Sequence, residues 1–130
     1  MKIDNILLDK LTAEAQASAR LRMNLDLRNS DADSSQRMLN AIEPGSVVPI
    51  HRHQKTSETV VVLRGRVVEE YYSSEGVVVA TYDLAAGGPI CALNIPAGQW
   101  HTLRALDPGT VILEMKDGPY EPIQECDILR

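Results

Sequence analysis

The sequence predicts an all-β domain, a small antiparallel sandwich or barrel with a short N-terminal helix. Three observations carry this. From Gln36 onward the chain falls into short runs rich in β-branched residues. Each run ends in turn chemistry, as at Glu43-Pro44-Gly45, Ser73-Ser74-Glu75-Gly76 and Asp107-Pro108-Gly109. No helical run lies between them, which excludes a parallel α/β sheet with its obligatory crossovers.

The first thirty residues have a different texture. Ile6, Leu7, Leu8, Leu11, Ala15, Ala17 and Ala19 sit in a run without Gly or Pro, so a helix is predicted from about Asn5 to Ala19. The polar cluster Asn29 to Ser35 closes this segment. Residues 1–130 are thus expected to form one domain, with helix and arm over 1–30 and the β-barrel over 31–130. Predicted strands run over Arg37–Ile42, Val47–Val48, Thr59–Leu63, Arg66–Tyr72, Val77–Leu84, Cys91–Ile95, Thr102–Leu106 and Thr110–Lys116.

Composition narrows the function. Thirteen Lys and Arg against eighteen Asp and Glu leave a net charge of −5, which repels phosphate backbones and anionic lipid. Aromatics are 4% with no Phe, too few for a base-stacking platform. Neither nucleic acid nor a membrane is expected as a partner, and no run approaches the roughly 20 apolar residues of a span. Charges interrupt the N-terminus before a signal-peptide core can form. A cytoplasmic location therefore follows, with Cys91 and Cys126 as free thiols serving as buried small hydrophobes.

The chain has three histidines, and they are patterned. His51 and His53 flank one residue, so on a strand both rings point to the same face. Glu58 follows, and His101 comes much later behind Pro96-Ala97-Gly98-Gln99-Trp100. Three imidazoles and a carboxylate make a complete inner shell for one divalent transition metal per chain.

The segment Gly45 to Gly65, with His51-Arg52-His53 and Glu58 at their spacings, resembles the first cupin motif: Gly, five residues, His-x-His, four residues, Glu, six residues, Gly. Pro96-Ala97-Gly98-Gln99-Trp100-His101 is similar to the heart of the second. Ile90 stands where that motif has its leading Gly, and Ala105 where it has a trailing Asn. Gln36-Arg37-Met38-Leu39-Asn40-Ala41, Val61-Val62-Leu63-Arg64-Gly65 and Glu114-Met115-Lys116-Asp117-Gly118-Pro119-Tyr120 extend the likeness to the WbuC-type cupin-fold metalloproteins. Arg28 occupies a position where that family commonly carries His.

The resemblance implies a jelly-roll β-barrel, a metal held inside it by His51, His53, Glu58 and His101, and a homodimer. Mn or Fe is expected first, Zn or Ni second. It further implies a metal-dependent enzyme acting on a small polar substrate, a sugar or oxo acid, by isomerase- or epimerase-like chemistry in surface-polysaccharide metabolism. Two alternatives stand beside it: a noncatalytic small-molecule-binding or sensing metalloprotein, and an Fe(II)-dependent dioxygenase. Fold alone does not choose between them.

Candidate catalytic residues are Arg37, Glu114, Lys116 and Tyr120. An inward Arg37 could clamp an anionic group, with Asn40 beside it. Glu114 and Lys116 share a strand face, as do Glu69 and Tyr71, and either pair could supply an acid or base. Tyr120 could fold over the barrel mouth. Trp100 is read as packing in the core or at the rim, and Val60, Val62 and Leu93 as core. The alternation predicts that His51→Ala and His101→Ala each weaken metal binding by more than the roughly 10–100-fold typical of losing an outer-shell partner. Arg52→Ala should leave it unchanged, because residue 52 points the other way. Metal titration of the three variants checks this, and equal damage from Arg52→Ala would refute the register.

Overall fold

The helix starts where Asp4, in extended conformation, accepts a hydrogen bond from the Leu7 amide at 3.0 Å, an N-cap that satisfies one of the free first-turn donors. In this computed structural model, which describes residues 1–130, helix α1 spans Asn5–Ala17. Leu8, Leu11 and Ala15 are its buried stripe, the i, i+3, i+7 spacing of one helical face. No helix is long and apolar enough to cross a membrane.

Ten strands follow: β1 Arg22–Asp26, β2 Ser35–Ile42, β3 Ile50–His51, β4 Glu58–Arg64, β5 Arg66–Tyr72, β6 Val78–Ala85, β7 Ala92–Ile95, β8 Trp100–Ala105, β9 Thr110–Asp117 and β10 Ile128–Leu129. A single 3₁₀ turn, Glu125–Asp127, precedes the last. They form two antiparallel five-stranded sheets, β1-β2-β9-β4-β7 and β10-β3-β8-β5-β6. The architecture is the all-β jelly-roll arrangement with a short N-terminal helix, in which the two sheets face each other without joining by hydrogen bonds into one closed barrel.

Two apolar layers hold it. Between the sheets, Ile42, Val60, Val62 and Ile112 from one meet Val67, Leu84 and Ala105 from the other. Outside the first sheet, Leu39, Ala41 and Val111 pack under Leu8, Leu11 and Ala15. The alternation of β2 and β9 serves both layers, sending odd residues to the helix and even ones inward. Buried Glu43 ties helix to sheet, accepting from Gln16 Nε2 at 2.7 Å and from the Gly109 amide at 3.1 Å. Gly65 turns β4 into β5 at φ +83°, where a Cβ would lie 2.3 Å from Thr110 Oγ1. Only glycine fits there.

Several local expectations change. The arm predicted over 1–30 contains β1, which pairs with β2 from Arg22↔Ile42 to Asp26↔Met38. Val47–Val48 is not a strand, and Val47 is exposed; the pairing residues are Ile50–His51, because His51 aligns with His101 on β8 and Ile128 on β10. Cys91 and Cys126 are free but exposed rather than buried. Both sit just outside strand pairing, where neither sheet covers them. Leu11→Ala should cost about 2–5 kcal/mol, read by chemical denaturation. A loss well under 1 kcal/mol would show that the helix is not docked on the sheet.

Candidate metal centre

Each side chain of the cluster is delivered by pairing rather than by a loop alone. His51 on β3 stands opposite His101 on β8, and Glu58 opens β4 opposite Lys116 on β9 and Ile95 on β7. His53 lies two residues beyond His51, just past the end of β3, and the carbonyl of His53 is pinned by the Gly98 amide at 2.8 Å. The turn Pro96–Gly98 is thereby held against His53. It leads into β8, which carries His101.

The four side chains converge, with one ligand atom from each of His51, His53, Glu58 and His101 inside a span of 4.8 Å. The ring centroids of His51 and His101 are 4.4 Å apart, those of His51 and His53 5.1 Å. His51 Nδ1 lies 2.8 Å from the Pro49 carbonyl, and His101 Nδ1 lies 2.8 Å from the Gln99 carbonyl. A carbonyl only accepts, so both Nδ1 atoms carry the proton and both Nε2 atoms present lone pairs. These are the outer-shell contacts that orient metal-ligating histidines.

Glu58 completes the set. Its carboxyl is 6% exposed, and Oε2 lies 3.2 Å from His53 Nε2 and 3.4 Å from His101 Nε2. Yet Oε2 has no aligned hydrogen bond. A buried carboxylate oxygen facing a ring lone pair is repulsive unless a cation lies between them. The donor set therefore fits a divalent metal.

The surrounding protonation states differ sharply. Burial, with neighbouring His101, pushes His51 down to about 4. Burial raises Glu58, but the His101 and His53 rings, when they carry a proton toward it, outweigh burial and hold the carboxyl well below its usual range. Glu69 is fully buried, and burial, then Glu58 and Glu114, push it up to about 9. Burial, then Glu58, raises Glu114 to about 8, while Asn40 Nδ2 donates to its Oε1 at 3.0 Å.

These groups line a cavity of about 240 Å³ bounded by the four cluster residues, Asn40, Glu69, Glu114, Lys116 and an apolar wall including Val60 and Leu103. The volume is somewhat below the roughly 300–1,000 Å³ of drug-sized sites.

A family described as Domain of unknown function (DUF6016) matches residues 3–84. The chain belongs to this family. The matched part holds His51, His53, Glu58 and Glu69, whereas His101 and Glu114 lie beyond it. No curated protein matches the chain. Among solved structures, the capsular polysaccharide assembling protein CapF from Staphylococcus aureus aligns with a TM-score of 0.68 at 18% identity, over 85% of this chain and 32% of its own. This DUF6016 chain thus spans about a third of CapF. An oxalate oxidase in complex with the substrate analogue glycolate aligns at 0.64 and 15% identity, over 84% of this chain and 57% of that one. A cupin 2 domain-containing protein from Halorhodospira halophila aligns at 0.61 and 18% identity, over 79% and 68%. These likenesses establish the cupin fold.

The other sequence candidates divide. Glu114 and Lys116 face the cavity. Arg37 does not: it lies on the helix-side face of β2, pairs with Asp33 at 3.2 Å and donates to the Ser35 carbonyl at 2.6 Å. Asn40, three residues on, takes the inward face. Tyr120 leaves the barrel mouth and is exposed beneath the Arg28 guanidinium, 5.4 Å away. Ile123 and Ile128 reach the cavity in its place, because β10 pairs with β3. Arg52 points outward, stacking on Trp100 at 4.5 Å and donating to Asp127 at 2.9 Å. Glu69, which shares a strand face with Tyr71, is not distinguished as a site residue by the sequence pattern. In the sequence it is one of two adjacent glutamates, and only its buried neighbours on the same strand face, Val67 and Tyr71, mark it as inward.

Glu69 has a pH signature. The folded value of about 9 lies above the ordinary unfolded value of about 4.3. Between the two, the folded state holds a proton that the unfolded state lacks, so stability falls as pH rises, by at most about 1.4 kcal/mol per pH unit. Metal-free Glu69→Gln should therefore gain on wild type in thermal midpoint as pH rises through that window. A constant gap would show that Glu69 is ionised in the fold.

Proposed function

We propose that this protein is a metal-dependent cupin enzyme acting on a small polar substrate, a sugar or oxo acid, through reversible proton transfer. One observation carries the reading. The His51, His53, Glu58 and His101 cluster forms the wall of an open cavity that also holds two buried carboxyls with raised proton affinity. A purely structural metal is closed by its ligands and stands apart from any pocket. Here the same cavity reaches the cluster and the acids, the arrangement acid–base chemistry needs.

A divalent cation held there supplies Lewis-acid polarisation of a ligand oxygen and lowers the proton affinity of the carboxyls around it. The protein's own residues supply the rest. Glu114 is buried on the cavity wall, is raised by burial and then Glu58 to about 8 before any cation binds, and is oriented by Asn40, which places a carboxyl able to give and take a proton beside the cluster. Lys116 balances charge opposite Glu58. Ile123 and Ile128, brought by the C-terminal segment, close an apolar side of the cavity. The WbuC-type motifs and the likeness to a capsular polysaccharide assembling protein support carbohydrate chemistry. The same proposal includes Mn or Fe as native metal, a homodimer and a cytoplasmic site of action.

The test is elemental analysis of protein purified without an affinity tag. About one divalent metal per chain is expected, because the four-ligand set is complete. A metal-free preparation that also refuses Mn, Fe, Ni and Zn would overturn the reading.

A further inference from the structure

We propose that the cavity binds a neutral, hydroxyl-rich small molecule of the monosaccharide or polyol class rather than a dicarboxylate, and that Glu69 and Asn40 recognise its hydroxyls. The inference rests on the metal-site reading above and deepens it.

Four buried side-chain polar atoms have no hydrogen-bond partner: Asn40 Oδ1, Glu58 Oε2, and Oε1 and Oε2 of Glu69. All belong to residues lining this one cavity. The metal accounts for Glu58 Oε2. The other three are the oxygens of a carboxyl with 0% exposure, which as a protonated acid offers one O–H donor and one acceptor, and of an amide with 9%, and leaving such atoms unpaired is costly. The protein offers them no donor. Of the two cationic side chains on the cavity wall, Arg22 is engaged by the Val47 carbonyl at 2.6 Å. Lys116 stands on β9 between Glu58 of β4 and Gln36 of β2. An occupant that both donates and accepts would pair all three.

The register places them well. Tyr71 pairs with His101 and Glu69 with Leu103, so Glu69 is one inward position closer to the apolar core than the cluster. Asn40 projects from the opposite sheet beside Glu114. A molecule touching the cluster would meet Glu69 on one side and Asn40 on the other. Hydroxyls donate and accept, so they satisfy both. Oxalate brings only acceptors, so it leaves Asn40 Oδ1 and the acceptor oxygen of Glu69 unpaired. An ammonium ligand brings donors but faces the cation of the site. Val48, Val60, Leu103 and Ile123 supply apolar wall for the C–H face of a ring.

Calorimetric titration of the metal-loaded protein tests this, with D-xylose, D-galactose and myo-inositol against oxalate and glycolate. Saturable binding of at least one polyol, tighter than either anion, is expected. No polyol binding, or tighter binding of oxalate, overturns the proposal. Glu69→Leu should weaken polyol binding about tenfold or more with metal content unchanged. The same substitution should raise the thermal midpoint of the ligand-free protein by removing an unsatisfied buried carboxyl. Glu69→Gln, which keeps a donor and an acceptor, should retain most of the affinity. If Leu disturbs the fold, Glu69→Met makes the same test. Unchanged affinity in the apolar variant overturns the role of Glu69. Metal content, measured in parallel, separates the two readings. A metal-loaded protein that ignores polyols sinks this inference alone, and a protein that takes up no metal sinks the metal-site reading.

Discussion

The whole interior turns on a buried carboxylate oxygen to which the protein gives no hydrogen bond. Glu58 Oε2 is buried within 3.4 Å of two imidazole nitrogens and makes no aligned hydrogen bond. The backbone carbonyls of Pro49 and Gln99 commit the Nδ1 atoms of His51 and His101 to donation, so lone pairs point inward. That arrangement of lone pairs and carboxylate fits a cation. The turns that carry those carbonyls, the two-residue strand β3 and the β-bulge-free pairing of β8 with β5 all act to hold that geometry.

The space between the sheets is graded. At one end Val62, Val67, Leu84, Ala105 and Ile112 form an ordinary apolar core. Toward the other, the same inward faces of β2, β4, β5, β8 and β9 carry Asn40, Glu58, Glu69, His101, Glu114 and Lys116. Burying so many ionisable groups runs against stability, and the protein offsets it outside the sandwich. Helix α1 seals Leu39, Ala41 and Val111 in a second apolar layer, and Glu43 stitches that layer to the β8–β9 turn at Gly109. The fold can hold a polar cavity because its apolar burial is spread over two layers.

Much of this was legible in the residues. The turn-punctuated runs located most of the strands to within a residue or two, and Arg66–Tyr72 matches β5 end for end. The His-x-His spacing and Glu58 brought the metal residues to attention, and His101 was reached through its Pro-x-Gly turn. The short pairings were hidden. β3 and β10 have two residues each, too few to show a period, and β1 lies in a stretch whose pattern does not stand out beside the helix.

Local order follows from the residues and their neighbours: alternation selects strand, Gly and Pro end it, and Asp4 starts the helix. Those relations act over a few residues and survive in the bare chain. Which face of a strand looks inward does not. Arg37 and Asn40 lie on one strand on opposite faces, and the helix packed on one side of β2 settles which enters the cavity. Glu69 beside Glu70 becomes a buried acid because β8 aligns it with Leu103 under the facing sheet. Ile128 reaches the site because a strand about eighty residues away pairs with it. Each of these is a contact between distant parts of the chain, and a contact of that kind exists only once the sheets have closed on one another.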